Sequence, residues 1–96
     1  MAKAYWISLY RAVHDADKLA AYAKLAGPAI QGGGGRFLVR GMPSKTYEAG
    51  LNQRTVIIEF DSYQTALDCF HSPEYQAALK LREACSTAHM AVVEGV

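Results

Sequence analysis

Residues 36–42 (RFLVRGM) and 53–60 (QRTVIIEF) alternate along their length, and a polar loop over 43–50 separates them. Such a pair reads as an antiparallel hairpin. Antiparallel partners keep a constant index sum, and a sum of 95 sets Arg36 opposite Glu59, Leu38 opposite Ile57 and Arg40 opposite Thr55. On the other side Phe37 meets Ile58 and Val39 meets Val56. Alternation keeps each set on its own side. One side is then wholly apolar: Phe37, Val39, Val56, Ile58 and Phe60. The other is mixed: Arg36, Leu38, Arg40, Thr55, Ile57 and Glu59. Helices belong on the first. The mixed side, where Trp6 and Tyr10 are also expected, carries too much apolar surface to face water and marks an interface.

The rest of the chain supplies the other elements. Residues 4–13 (AYWISLYRAV) are aromatic and branched and read as a strand. Asp15 or Asp17 then caps a helix whose spacing runs through Leu19, Tyr22, Ala23, Ala26 and Ile30. Gly27-Pro28 predicts a kink or a restart within it. Gly32 to Gly35 lead from helix into strand. A phosphate-binding loop runs the opposite way, so these glycines end a helix through the left-handed conformation. Asp61-Ser62 caps a short helix containing Ala66, Leu67 and Phe70. Ser72-Pro73-Glu74 starts another, with Tyr75, Ala78, Leu79 and Arg82 on one stripe. Residues 88–94 form the last strand. The order strand, helix, strand, strand, helix pair, strand is the α+β, ferredoxin-like βαββαβ pattern. It predicts a four-stranded antiparallel sheet with helices on one face.

Composition bounds what this fold does. The 96 residues make one domain, 1–96, and 51% of them are apolar. That excludes a disordered chain and two independent domains. So short a chain buries a modest share of its surface, which favours a partner subunit. Net charge is +1, without the basic excess of a nucleic-acid binder. Residues 1–48 nevertheless carry seven basic and three acidic residues, and 49–96 carry three and six. Such a split favours self-association. No apolar run approaches the roughly 20 residues that span a bilayer. Neither a leader nor a membrane partner is expected, and the default location is the cytoplasm. Cys69 and Cys85 read as small buried hydrophobes.

Several segments together are specific. Gly34-Gly35-Arg36-Phe37-Leu38-Val39-Arg40-Gly41, Val56-Ile57-Ile58-Glu59-Phe60, Ser72-Pro73-Glu74-Tyr75-Gln76 with Arg82, and Val93-Glu94-Gly95 occur in this order. In these the chain resembles the bacterial domain-of-unknown-function family 1330. The resemblance implies a homodimer, sheet face to sheet face, as a dimeric α/β barrel. It implies no particular reaction. The wider group with that fold includes cofactor-free monooxygenases, lactone isomerases, haem-degrading enzymes and chlorite dismutases.

Candidate chemistry is narrowed by what the spacing lacks. His14, His71 and His89 have no ligand spacing, so neither metal nor cofactor is expected. No GxSxG surrounds a serine. Cys69 and His71 stand two apart on a helix and diverge. Arg36, Arg40, Arg54, Tyr10, His14 and Glu59 remain, around strands that bound a small cavity. Arginine forks beside tyrosine or histidine hold a small carboxylate or enolate. His14, Arg40 and Tyr10 are the catalytic candidates, and Arg36, Arg40, Arg54 and Glu59 the ligand-binding ones. The same groups would equally satisfy charge at an interface, with Arg36 and Glu59 as a cross-strand ion pair. Two functions therefore fit. One is a cofactor-free enzyme, monooxygenase- or isomerase-like, acting on a small organic acid or aromatic. It calls for a pocket of a few hundred cubic ångströms. The other is a non-catalytic small-molecule-binding or assembly module.

Overall fold

The computed structural model of the chain describes residues 2–96. Along it run β1 (Ala4–Val13), α1 (Ala16–Gly32), β2 (Arg36–Gly41), β3 (Thr55–Phe60), α2 (Tyr63–Phe70), α3 (Pro73–Cys85) and β4 (Ser86–Glu94). The strands form one antiparallel sheet in the order β2-β3-β1-β4. This is the expected architecture, with all three helices on one side. β4 begins at Ser86, directly after α3, two residues before the start read from the pattern.

Each helix starts where a short polar side chain takes a free backbone N–H. Asp15 accepts from Lys18 N at 3.1 Å, Ser62 from Thr65 N at 3.1 Å and Ser72 from Tyr75 N at 3.3 Å. α1 runs unbroken through Gly27 and Pro28, so the restart expected there does not occur. Its packing against α3 and the sheet holds a turn that local propensity would give up. The glycines that end α1 do different jobs. Only Gly34 is left-handed, at φ +94°. Gly35 is buried, and a Cβ there would lie 2.5 Å from Ile30 Cγ2 and 2.9 Å from Phe60 Cζ. Gly35→Ala is therefore expected to lose about 1 to 3 kcal/mol by overpacking. Gly32→Ala, which meets nothing within 4 Å, should be neutral or slightly stabilising. Urea unfolding of both variants checks the contrast, and equal midpoints would refute it.

The hairpin register needs one correction. Arg36 pairs with Glu59 and Phe37 with Ile58, as the constant sum requires. Beyond them the ladder shifts by one: Val39 pairs with Ile57, Arg40 with Val56 and Gly41 with Thr55. Leu38 is the extra residue of a bulge, which bends the strand and re-aims the residues after it. Val39 thereby leaves the helix side, and Arg40 joins it. Neither change is visible in an alternating pattern, because a bulge costs one residue without altering composition.

A second correction concerns β1. Trp6 and Tyr10 do not share the open side. Trp6 pairs with Ile58 and is 1% exposed, and Tyr10 is 4% exposed, both under the helices. Both sets of alternating β1 residues contain large apolar groups, so alternation alone leaves the choice open. Pairing with β3 settles it. Trp6 is the centre of the core. Its ring lies 4.9 Å from Tyr75, 5.1 Å from Phe60 and 5.8 Å from Phe70, and its Nε1 donates to Ala66 O at 3.1 Å. The stripe of α3 is buried as expected, at Tyr75, Ala78, Leu79 and Arg82.

The other side of the sheet is uncovered by this chain. It presents Tyr5, Ile7, Leu9 and Arg11 of β1, Thr55, Ile57 and Glu59 of β3, and His89, Ala91 and Val93 of β4. Leu9 is 49% exposed and Val93 47%. Among the described residues no helix is long and apolar enough to cross a membrane.

Candidate functional site

The sequence candidates separate into three places. Arg36 and Glu59 sit on the open side of the β2–β3 pair, in an exposed network with Lys3 and Asp61. Arg36 Nε donates to Glu59 Oε1 at 3.0 Å and Arg36 Nη2 to Asp61 Oδ1 at 2.8 Å, while Lys3 Nζ lies 3.7 Å from Glu59. The Arg36 hydrogen bond holds the Asp61 carboxyl below the usual carboxylate range. The expected cross-strand ion pair is therefore present, and exposed pairs of this kind contribute little stability. His14 is exposed at the β1–α1 turn, where its backbone N–H donates to Cys85 O at 2.6 Å. His89 lies on the open side, 3.2 Å from Arg11 Nη1.

Arg40, Arg54 and Tyr10 meet in one recess between the sheet and α1. Trp6, Ser8, Tyr10, Val56 and Ile58 form its floor, and Tyr22, Ala26, Gly27 and Ile30 of α1 its wall, with Tyr75 at the back. Phe37, Arg40 and Arg54 stand at the mouth. The bulge at Leu38 is what turns Arg40 toward this space. Its guanidinium lies 4.6 Å from the centre of the Phe37 ring, a cation–π contact that fixes it at the rim. The recess offers about 30 Å³ of water-accessible space. A space of 30 Å³ takes a water or two, so the recess falls short of the pocket expected of an enzyme. A larger groove of about 510 Å³ lies on the open side, between the 43–53 loop and Leu9, Arg11 and His89. Its side chains are mostly exposed, whereas the recess is cut into the core and has preformed walls.

Behind the recess is a group that pattern reading leaves as part of a stripe. Arg82 is 8% exposed. Its Nη1 donates to Tyr75 Oη at 3.2 Å, and both Nη atoms lie 3.8 Å from Met90 Sδ. Tyr75 and Tyr22 share a hydrogen bond of 3.0 Å, and Arg82 stacks 5.6 Å from the Tyr22 ring centre. The ion pairs among the described residues join Lys3 and Arg36 to Glu59 and Asp61, and Arg82 enters none of them. The legible signal is an arginine at the seventh place after Tyr75 on an otherwise apolar face. Tyr22, Tyr75, Trp6 and Ser8 give no signal beyond core periodicity.

Burial raises the Tyr75 phenol well above its usual value, and the neighbouring Tyr22 adds to the effect against the pull of Arg82. Tyr10 is raised for the same reasons, with Arg82 and Arg54 opposing. Unfolding frees both to ionise at the ordinary value of 10.0. The folded chain then binds more protons than the unfolded one above that pH. Stability is complete below pH 10.0 and falls as the pH rises through it. Urea midpoints at neutral pH and at about pH 11 check this, and an unchanged midpoint would contradict it. Tyr75→Phe should weaken the loss. Burial also pushes the Cys69 thiol up to about 11, so it is not a nucleophile at neutral pH. Among the described residues no three His, Cys, Asp or Glu side chains gather as metal ligands.

The family model "Domain of unknown function (DUF1330)" matches residues 3–96. The chain belongs to the DUF1330 family. No curated protein matches it. Among solved structures, this DUF1330 chain is similar to a protein of unknown function from Rhodopseudomonas palustris. That pair has 18% identity and a TM-score of 0.78 over 99% of this chain and 83% of the other. It is similar to SnoaB, a cofactor-independent oxygenase from Streptomyces nogalater, at 10% identity and a TM-score of 0.68, over 96% and 91%. It is also similar to a dimeric protein of unknown function with a ferredoxin-like fold from Bacteroides fragilis. There identity is 14% and the TM-score 0.55, over 96% and 95%. At these identities the likeness establishes the ferredoxin-like fold of the DUF1330 chain and nothing of its chemistry.

Proposed function

We propose that this DUF1330 protein is a cofactor-free enzyme, monooxygenase- or isomerase-like, acting on a small organic acid or aromatic in the recess between sheet and α1. The observation that carries the reading is the convergence of Arg40 and Arg54 on a mouth whose interior is aromatic. Two guanidinium groups draw an anionic ligand to the mouth, and Trp6, Phe37 and Tyr22 suit a flat apolar body. SnoaB, a cofactor-independent oxygenase of similar fold, lends support by analogy. The working unit is a homodimer joined through the open sheet faces, and the Bacteroides protein, which is described as dimeric, supports a dimer without showing its interface. Two free buried cysteines suit the reducing bacterial cytoplasm.

Titration calorimetry against a panel of aromatic and short-chain acids tests the binding site. At least one compound should bind to wild type. Arg40→Ala and Arg54→Ala should each weaken that compound about tenfold, the loss of one charge-assisted contact. Oxygen uptake and proton NMR on the same mixtures test turnover. Undiminished affinity in both variants would remove the site. Binding without turnover would favour the non-catalytic module, a reading that the small volume of the recess, about 30 Å³, supports.

A further inference from the structure

Arg82 is a charge without a counterion among the described residues. A guanidinium is always protonated, and burying one is costly unless it is paired. Here its close partners are the Tyr75 phenol oxygen, the Tyr22 ring, Tyr10 and a thioether sulfur, none of which is an acid group paired with it. The arrangement of the phenols says where that charge is felt. Arginine only donates, so the Tyr75 oxygen must accept from Arg82. Tyr75 is 0% exposed, and among the described residues the only other group bonded to its hydroxyl is Tyr22. The Tyr75 proton is therefore given to the Tyr22 oxygen. Tyr22 keeps its own O–H, and Tyr22 lines the recess. A hydroxyl polarised by a cation through such a chain is a strengthened donor. Among the described residues no carboxylate and no histidine lines the recess to accept a proton.

We infer that the recess takes its ligand already ionised, as a phenolate or enolate, with the oxyanion against the Tyr22 hydroxyl. Arg82, acting through Tyr75, is a positioning residue that aligns this donor. The inference rests on the recess being the binding site and names the class of compound it selects. It also limits the chemistry. With no base in the lining, the proton is lost in solution, and the site favours molecules acidic enough to ionise near neutral pH. With about 30 Å³ of water-accessible space, the recess admits the oxygen, while the ring rests at its rim beside Arg40, Phe37 and Arg54.

The test uses 4-nitrophenol, which ionises near neutrality and reports its charge by absorbance, and 4-nitroanisole, its uncharged methyl ether. Wild type should bind the phenolate about tenfold to a hundredfold more tightly than the ether. The apparent pKa of bound 4-nitrophenol should fall by about one unit or more. Tyr22→Phe should shrink the fall, leaving what Arg40 and Arg54 contribute, and should weaken the phenolate about tenfold and the ether far less. Arg82→Met should do the same, with Arg82→Lys a partial rescue. Tyr22→Phe removes one half-buried hydroxyl, so it keeps the test available if the Arg82 variants do not fold. Equal affinity for phenolate and ether, or a pKa shift undiminished in Tyr22→Phe, overturns the anion assignment while the recess stands as an aromatic site. Binding of neither probe overturns both.

Discussion

Trp6→Ala is expected to cost about 4 kcal/mol. A chain of this length has a total stability of roughly 5 to 15 kcal/mol, so the variant should sit near its unfolding limit. Three contributions act together. The indole packs on Phe60, Phe70 and Tyr75, and its loss opens a cavity that β1 and β3 cannot collapse to fill. The edge contacts with those rings are lost as well. Ala66 O, inside α2, loses the donor that reaches it from Nε1. The expected fall in Tm is about 20 °C, read by circular dichroism because the chain has one tryptophan. Trp6→Phe should cost less, since it keeps most of the volume and loses only the hydrogen bond and the second ring. A fall below about 5 °C for the alanine variant would mean that Trp6 is not the centre of the core.

Ile57→Asp should break the proposed dimer without unfolding the monomer. Ile57 lies at the middle of the open face, opposite Ile7 on β1 and Val39 on β2. In one chain this side faces water, so an aspartate there is tolerated. In a sheet-to-sheet dimer the carboxylate would be buried among Ile7, Leu9 and Val93, and the two-fold symmetry would count the cost twice. At about 2 kcal/mol for each copy, the dimer should weaken roughly a thousandfold. Sedimentation at micromolar concentration should show wild type as a dimer and the variant as a monomer with an unchanged far-ultraviolet spectrum. Lys80→Glu, on the exposed side of α3, should remain a dimer. A monomeric wild type would refute the interface directly.

Much of the fold is legible in the order of residues. Ser72-Pro73-Glu74 places the start of α3 because capping is a local hydrogen bond, complete within four residues. The alternation of Thr55 to Phe60 places three of its residues under the helices because a strand has a period of two. Arg36 opposite Glu59 comes from the hairpin alone. The site is only half legible. Residue chemistry picks out Arg40, Arg54 and Tyr10, but the reason they converge is the bulge at Leu38 together with the pairing of β1. Arg82 shows on its stripe, yet nothing in the stripe says that an arginine there lacks an acid.

What the sequence determined by itself was the set of elements, their order and the sheet with one bare side, because these depend on contacts between near neighbours. What the tertiary structure decided was which side of β1 and of Arg40 faces the helices, and that a buried guanidinium ends against three phenols. Those outcomes depend on pairings across long stretches of chain, such as Arg40 with Val56 and Arg82 beside Tyr10. Tyr75 and Arg82 share a helix, but Tyr22 reaches them from α1 across 53 positions. No local periodicity records a distance of that kind, and the recess exists only because the chain closes on itself.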